Sequence, residues 1–305
     1  MRDQVTDGIL NVNKPRGKTS FQIVAEIRRL SGERRVGHSG TLDPEATGVL
    51  PILLGQGTRI AEFLFEAKKI YRAEIEFGIV TDTYDAGGRI IRRGDTSSLN
   101  RERLEAALSS FQGTIEQIPP MYSAVKHNGK PLYRLARAGI EISRKPRKVE
   151  IFRLEVLDWQ NPLLTIEVEC SKGTYIRSLA YDLGQALGCG AYLKDLTRLQ
   201  SGPFHINQSV SLSQLEEAFQ QGYWKNFLYP LDWVLSHLKA VILDEASEKA
   251  ILNGRPLSLP SKEMIAEERC RAYSLNGRLL AILRFEPRAK LWRPEKVLGS
   301  RELRN

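Results

Sequence analysis

The sequence predicts an α+β fold with a mixed central sheet and a smaller β-rich unit towards the C-terminus. Strands with alternating apolar residues and capped amphipathic helices follow one another without the regular βαβ rhythm of a doubly wound parallel sheet. Asn-Gly pairs at 128–129 and 276–277 are hairpin signals, so neighbouring strands there run antiparallel. Beyond Pro230 the texture shifts to short strand-like segments around a single helix. At 305 residues and 42% hydrophobic, the chain can bury one large core and a small one.

Each element has a local reason. GILNV (8–12) is a short apolar strand, followed by the turn-rich basic loop NKPRGKTS. Thr19 or Ser20 then caps a helix whose Ile23, Val24, Ile27 and Leu30 share one face, ending near Gly32. The loop GHSGTLDPEATGVL leads into the apolar run VLPILL, and Thr58 is expected to cap a short helix through Phe65. IYRAEIEFGIV (70–80) alternates, with Tyr71, Ala73, Ile75, Phe77 and Ile79 on one side. Asn100 caps a helix with Glu102 in its first turn, where the helix dipole favours an acid. Strands are expected around 148–158 and 163–170. Thr174 is expected to cap a helix to Leu187, and Ser213 with Glu216 to open another. A helix around 245–253 ends before Gly254. The domains are read as 1–237 and 238–305, and the larger one, having its own strands and helices, is expected to stay folded without the smaller.

Lys and Arg outnumber Asp and Glu by 45 to 36, a net charge of +9 that favours a polyanionic partner, nucleic acid first. The N-terminal stretch MRDQVTDGIL has no apolar signal core, and no apolar run reaches membrane-span length. Three cysteines without a CxxC argue against a disulfide framework or zinc knuckle, and fit a reducing cytoplasm.

The carboxylate of Asp43, set against Pro44 and flanked by glycines, stands out. A carboxylate in a rigid turn can cap a helix, bind a metal, share acid–base work with a second acid, or attack a substrate. The four histidines, at 38, 127, 205 and 237, form no HxxxH or HxH pair, which disfavours a metal site. Glu45 is a nearby acid, but spacing alone does not make a glycosidase-like pair. GHSGT approaches the nucleophile-elbow pattern G-x-S-x-G yet carries Thr41 where glycine is required. In CSKGTYIRSLAYDLG, Tyr175 and Arg177 stand at a helix opening. An arginine there can hold a carboxylate ionised, and Tyr71 and Tyr175 offer flat faces for stacking on an unpaired base.

Taken together, NKPRGKTS, GHSGTLDPEATGVLP, KKIYRAEIEFGIVTDTYDAGG, PPMYSAVKHNGKPLYRLARAG and CSKGTYIRSLAYDLG make the chain resemble the bacterial tRNA pseudouridine(55) synthases, the TruB family, over roughly residues 8–204. The resemblance implies the pseudouridine synthase fold, with a largely antiparallel sheet, and a C-terminal PUA-like RNA-binding domain. It implies isomerisation of the T-loop uridine to pseudouridine by base flipping, with Asp43 as the catalytic aspartate. Arg177 then matches the arginine paired with it, Tyr71 the tyrosine stacked on the target base, and Tyr175 a second tyrosine of the pocket. Leu196 matches an apolar residue against the uracil, and His38 a histidine entering the T-loop. Lys14, in NKPRG, reads as mainly architectural, with phosphate contact open. The same resemblance implies no cofactor, tRNA through its T-stem-loop as partner, a monomer with no obligate protein partner, no membrane association and a cytoplasmic location. The competing reading is an RNA-binding or tRNA-folding protein without catalysis, in which Asp43 is structural.

Overall fold

A computed structural model describes residues 6–259 and 268–299. Strand β1 (Gly8–Lys14) leads into helix α1 (Ser20–Ser31). The Thr19 hydroxyl accepts from Gln22 N, Gln22 Oε1 accepts from Thr19 N at 2.7 Å, and Gly32 ends the helix at φ 68°. After β2 (Val36–His38) and β3 (Thr47–Leu54) comes a 3₁₀ segment, Gly55–Ile60, then α2 (Ala61–Glu66) and β4 (Lys69–Phe77). Thr58 does not cap α2. It lies inside the 3₁₀ segment, its hydroxyl donating to Gly55 O at 2.8 Å, and α2 starts with no side-chain cap.

Gly78, at φ 85°, ends β4 and starts the hairpin of β5 (Ile79–Thr81) and β6 (Ile90–Arg93). Ile79 therefore leaves the alternating face expected for it. Helix α3 (Arg101–Ser109) is capped by Asn100, and β7 (Gly113–Gln117) follows. An excursion then carries the hairpin of β8 (Lys126–His127) and β9 (Lys130–Pro131), turned by Asn128 and Gly129 at positive φ, and α4 (Leu132–Arg137). Strands β10 (Arg147–Gln160) and β11 (Leu163–Cys170) lead to α5 (Ile176–Ala186). The N-cap of α5 is Tyr175 rather than Thr174, whose hydroxyl donates back to Ser171 O at 3.0 Å.

Next come β12 (Ala191–Ser201), β13 (Phe204–His205), β14 (Val210–Ser211), α6 (Leu212–Gln221) and β15 (Leu228–Tyr229). The capping box of α6 is Ser211 with Gln214, two residues before the expected Ser213 and Glu216. Leu212 and Leu215 are the buried residues that set the helix phase, which moves the cap to Ser211. The C-terminal part holds β16 (Lys239–Ile242), α7 (Glu245–Leu252), β17 (Arg269–Tyr273), β18 (Leu279–Glu286) and β19 (Leu291–Val297).

The main sheet runs β14-β1-β3-β12-β4-β11-β10-β7, with β2, β13 and β15 beside β3, β12 and β1. Only β1–β14 and β3–β12 pair in parallel, so the sheet is mixed and largely antiparallel. Helices α1, α3, α5 and α6 cover one face, burying Leu50, Ile52 and Leu54 of β3 and Ala73, Ile75 and Phe77 of β4. Val49 and Leu53 point the other way into a second core. This is why VLPILL is continuously apolar: a strand covered on both faces has no solvent side to alternate towards. Further along, β4 shows Arg72, Glu74 and Glu76 on its free face, as its alternation predicts.

The smaller sheet runs β16-β17-β18-β19 around its own core of Leu243, Ile251, Cys270, Leu283 and Trp292. It does not stand apart. Ile282 of β18 and Leu298 enter the core that holds Ile9, Val49 and Leu53 of the main sheet.

Candidate active site

The loop between β2 and β3 carries Asp43, and its rigidity has identifiable sources. Leu42 is buried, and its backbone exchanges hydrogen bonds with the Ser20 hydroxyl at the start of α1: Leu42 N donates at 2.9 Å and Leu42 O accepts at 3.1 Å. Pro44 O accepts from Gly17 N at 2.9 Å and from Lys14 Nζ at 3.0 Å. Lys14 also donates to Pro15 O and Lys18 O, at 2.8 and 2.7 Å, and is fully buried. All three protons of its ammonium are thus used by backbone carbonyls. The basic loop before α1 is architecture beneath Asp43, with no surface left on Lys14 for a phosphate. Burial lowers the Lys14 pKa to about 8.

Arg177, the second residue of α5 and 4% exposed, faces Asp43. Its Nε lies 2.8 Å from Asp43 Oδ2 and its Nη2 donates to Oδ1 at 3.1 Å. Nη2 donates also to Tyr122 O at 2.9 Å and Nη1 to Thr83 O at 3.3 Å, while Asp85 Oδ2 is 3.4 Å from Nη1. The guanidinium is therefore locked from several sides, and it orients the carboxylate rather than following it. Burial raises the Asp43 pKa above the ordinary range, Arg177 pulls it down, and Asp85 pushes it up again. The side chain of Asp43 keeps 38% of its surface, directed into a cleft of about 970 Å³.

Tyr71 of β4, Leu196 of β12 and Tyr175 line the same cleft as Asp43 and Arg177. Tyr71 and Ala73 pair across the ladder with Arg198 and Leu196, which puts all four side chains on one face of the sheet. Burial raises the pKa of both Tyr71 and Tyr175, so both hydroxyls are neutral near pH 7. The backbone of Tyr175 is held by Gln117, whose Oε1 accepts from Tyr175 N at 2.7 Å and whose Nε2 donates to Tyr175 O at 2.9 Å.

His38 departs from this group. It ends β2, opposite Ile52, half-buried and off the cleft lining. Burial, with the Arg198 charge, lowers its pKa.

Asp85, Lys69 and Arg198 are among the cleft residues that escaped the sequence reading. Asp85 follows Tyr84, a non-glycine residue at φ 64°, in a turn whose AGG ending was the available signal. Lys69 donates to Leu64 O, Phe65 O and Ala67 O at 3.2, 2.6 and 2.5 Å, closing the C-terminal end of α2. Arg198 is 1% exposed at an inward-facing strand position, where a charged residue was itself the clue.

The arrangement offers an oriented carboxylate, a locked guanidinium, two neutral phenols and an apolar wall in a cleft roomy enough to admit a nucleotide. Among the described residues no group of three or more His, Cys, Asp and Glu could hold a metal ion. Nor is any helix among them long and apolar enough to cross a membrane.

Known proteins match this chain over most of its length. The sequence profile of the TruB family pseudouridylate synthase N-terminal domain matches residues 28–176, and that of the tRNA pseudouridylate synthase B C-terminal domain matches residues 177–236. A tRNA pseudouridine synthase B of Dehalococcoides mccartyi is 47% identical over 291 residues, covering 95% of this chain and 96% of its own. One from Clostridium acetobutylicum is 48% identical over 252 residues, covering 83% and 86%. Among solved structures, a chain of a Cbf5–Nop10–Gar1 complex superposes with a TM-score of 0.73 at 26% identity, over 97% of this chain and 86% of that one.

Proposed function

Since the chain belongs to the TruB family of pseudouridine synthases and isomerises uridine in tRNA to pseudouridine, we propose that its target is the T-loop uridine at position 55 and that Asp43 is the essential carboxylate. The observation that carries this reading is the Asp43–Arg177 pair at the base of a cleft walled by Tyr71 and Leu196. The reaction breaks the bond from uracil N1 to C1′, turns the ring and closes a bond from C5 to C1′. The C5 proton leaves and N1 is protonated, so the conversion is redox-neutral.

Each residue has a part in this. Asp43 brings an ionised oxygen into contact with the nucleotide, and Arg177 keeps it ionised and aimed. Tyr71 stacks on the flipped uracil and stands where the C5 proton departs. Leu196 and Tyr175 close the pocket around the base. His38, off the cleft wall, meets the T-loop beyond the target nucleotide and fills space that the extruded bases leave. A uridine inside folded tRNA is inaccessible to all of these groups until it leaves the stack, so flipping precedes chemistry.

The domain reading keeps residues 1–237 as the catalytic part and 238–305 as a PUA-like RNA-binding part. The protein is read as a monomer that acts on the T-stem-loop without an obligate protein partner, in the cytoplasm where tRNA resides.

The test is to incubate the full chain with an unmodified tRNA transcript and map pseudouridine along it. One new pseudouridine in the T-loop is expected. Modification at another position would remove the site assignment, and tight binding without any modification would remove catalysis.

A further inference from the structure

Arg198 has no part in the functions assigned above, yet it stands where three strands meet. It lies directly across from Tyr71 in the β12–β4 ladder and beside Gly48 in the β12–β3 ladder. Its Nε donates to Val49 O at 2.6 Å and its Nη2 to Gly40 O at 3.1 Å. Those two carbonyls bracket the loop that carries Asp43, one on either side. A single planar guanidinium therefore fastens both ends of the loop to the strand that faces Tyr71.

The energetics point the same way. No carboxylate among the described residues lies within ion-pair reach of Arg198, although its side chain is 1% exposed. Burying a charge against two neutral carbonyls and the neutral Tyr71 phenol is unfavourable compared with a well-packed apolar side chain of similar volume. Stability by itself would select the apolar residue. What an apolar residue lacks is a rigid fork that spans two carbonyls, and a lysine, with its point charge, lacks that fork too.

We propose that Arg198 is a positioning residue for the isomerisation, setting the Asp43 carboxylate against the Tyr71 ring by clamping Gly40 and Val49. This rests on the reading of the cleft as the active site. Arg198 acts through the loop and through Tyr71, whereas Arg177 touches the carboxylate itself. Displacing a reacting group by about 1 Å costs on the order of 100-fold in rate while leaving most binding contacts in place.

The experiment compares the full-length wild type, Arg198→Met and Arg198→Lys. It measures the single-turnover rate at saturating tRNA, tRNA affinity and thermal melting. The proposal expects Arg198→Met to lose roughly 100-fold in rate with affinity within about 3-fold, and Arg198→Lys to recover part of that rate. It is overturned if folded Arg198→Met keeps a rate within about 3-fold of wild type, if rate and affinity fall together, or if lysine, without the fork, restores the whole rate. Failure of both variants to fold would assign Arg198 to stability alone and overturn it as well. Absence of turnover in the wild type would instead bring down the functional reading, and the role of Arg198 with it.

Discussion

At Asp43, burial works against the charged form and Arg177 works for it, with Asp85 adding repulsion from beyond the guanidinium. The balance lies above the ordinary aspartate pKa of 3.8, so the carboxylate takes up its proton earlier on acidification than a solvated one would. If the ionised form is the working one, activity is present above that raised pKa and is lost as pH falls through it. Single-turnover rates measured across the acid range are expected to show their lower limb above 3.8. A limb at or below 3.8 would contradict the burial argument. Replacing Asp43 with asparagine keeps the shape and removes the charge. It is expected to lower the single-turnover rate by at least roughly 10³-fold, about 4 kcal/mol of barrier, with tRNA binding retained. Turnover near the wild-type rate would end the assignment.

Two elements near the cleft make separable predictions. On α5, Asp182 is half-buried, with no hydrogen bond or ion pair to another described residue, and burial raises its pKa to about 6. Because the folded pKa exceeds the unfolded one, its contribution favours the fold below pH 3.8 and is lost as pH rises through about 6. Asp182→Asn is therefore expected to stabilise at pH 7, by about 1–2 kcal/mol after allowance for partial exposure, and to gain little near pH 4. Chemical denaturation at the two pH values checks it, and an equal effect at both would refute the burial cause. On β3, Gly48 has φ 100°, and a Cβ there would stand 2.3 Å from Arg198 O. The parallel β3–β12 junction, with Thr47 Oγ1 and Thr197 Oγ1 2.9 Å apart, depends on that close approach. Gly48→Ala is expected to cost about 2–4 kcal/mol, because backbone must move. Gly17, at φ 81° with open space around its Cβ position, should cost only about 1 kcal/mol for the same change. Equal melting temperatures for the two variants would count against the junction.

Across the whole molecule, the smaller sheet closes the back of the larger one. Ile282 and Leu298 share a core with Val49 and Leu53 of the strand that leaves the Asp43 loop. At the rim, Lys296 pairs with Glu62 at 3.2 Å, Arg269 lies over the Phe63 ring, and Arg59 donates to Val297 O. The sequence alone suggested a larger domain able to fold without the smaller. The shared core predicts instead that removing residues from 238 onward lowers the melting temperature. Ile282→Ala in the intact chain should cost about 2–5 kcal/mol. A truncated protein that melts like the full chain would show that the smaller sheet contributes nothing to the larger. The charge of +9 makes a further prediction at this scale. Affinity for tRNA should fall steeply with added salt, since each phosphate contact releases condensed counterions, and a flat dependence would separate the basic surplus from RNA binding.

Local interactions are what the sequence determined by itself. The Thr19 and Asn100 caps, the Asn128-Gly129 turn, the alternation of β4 and the apolar run of β3 each depend on residues a few positions apart. The motif around Asp43 was legible for a related reason, because its glycines, proline and acid are contiguous. Tertiary structure decided the rest. Arg177 reaches Asp43 across 134 positions, a pairing that the family resemblance implied and spacing could not, and Arg198 reaches Gly40 across 158, a partner that nothing in the chain order marks. It also moved the α6 cap to Ser211, stripped Thr58 and Thr174 of their capping roles, spent Lys14 on backbone carbonyls and set His38 off the cleft. A side chain's propensity names the bonds it can make. Which of them it does make is set by the groups that folding brings within about 3 Å.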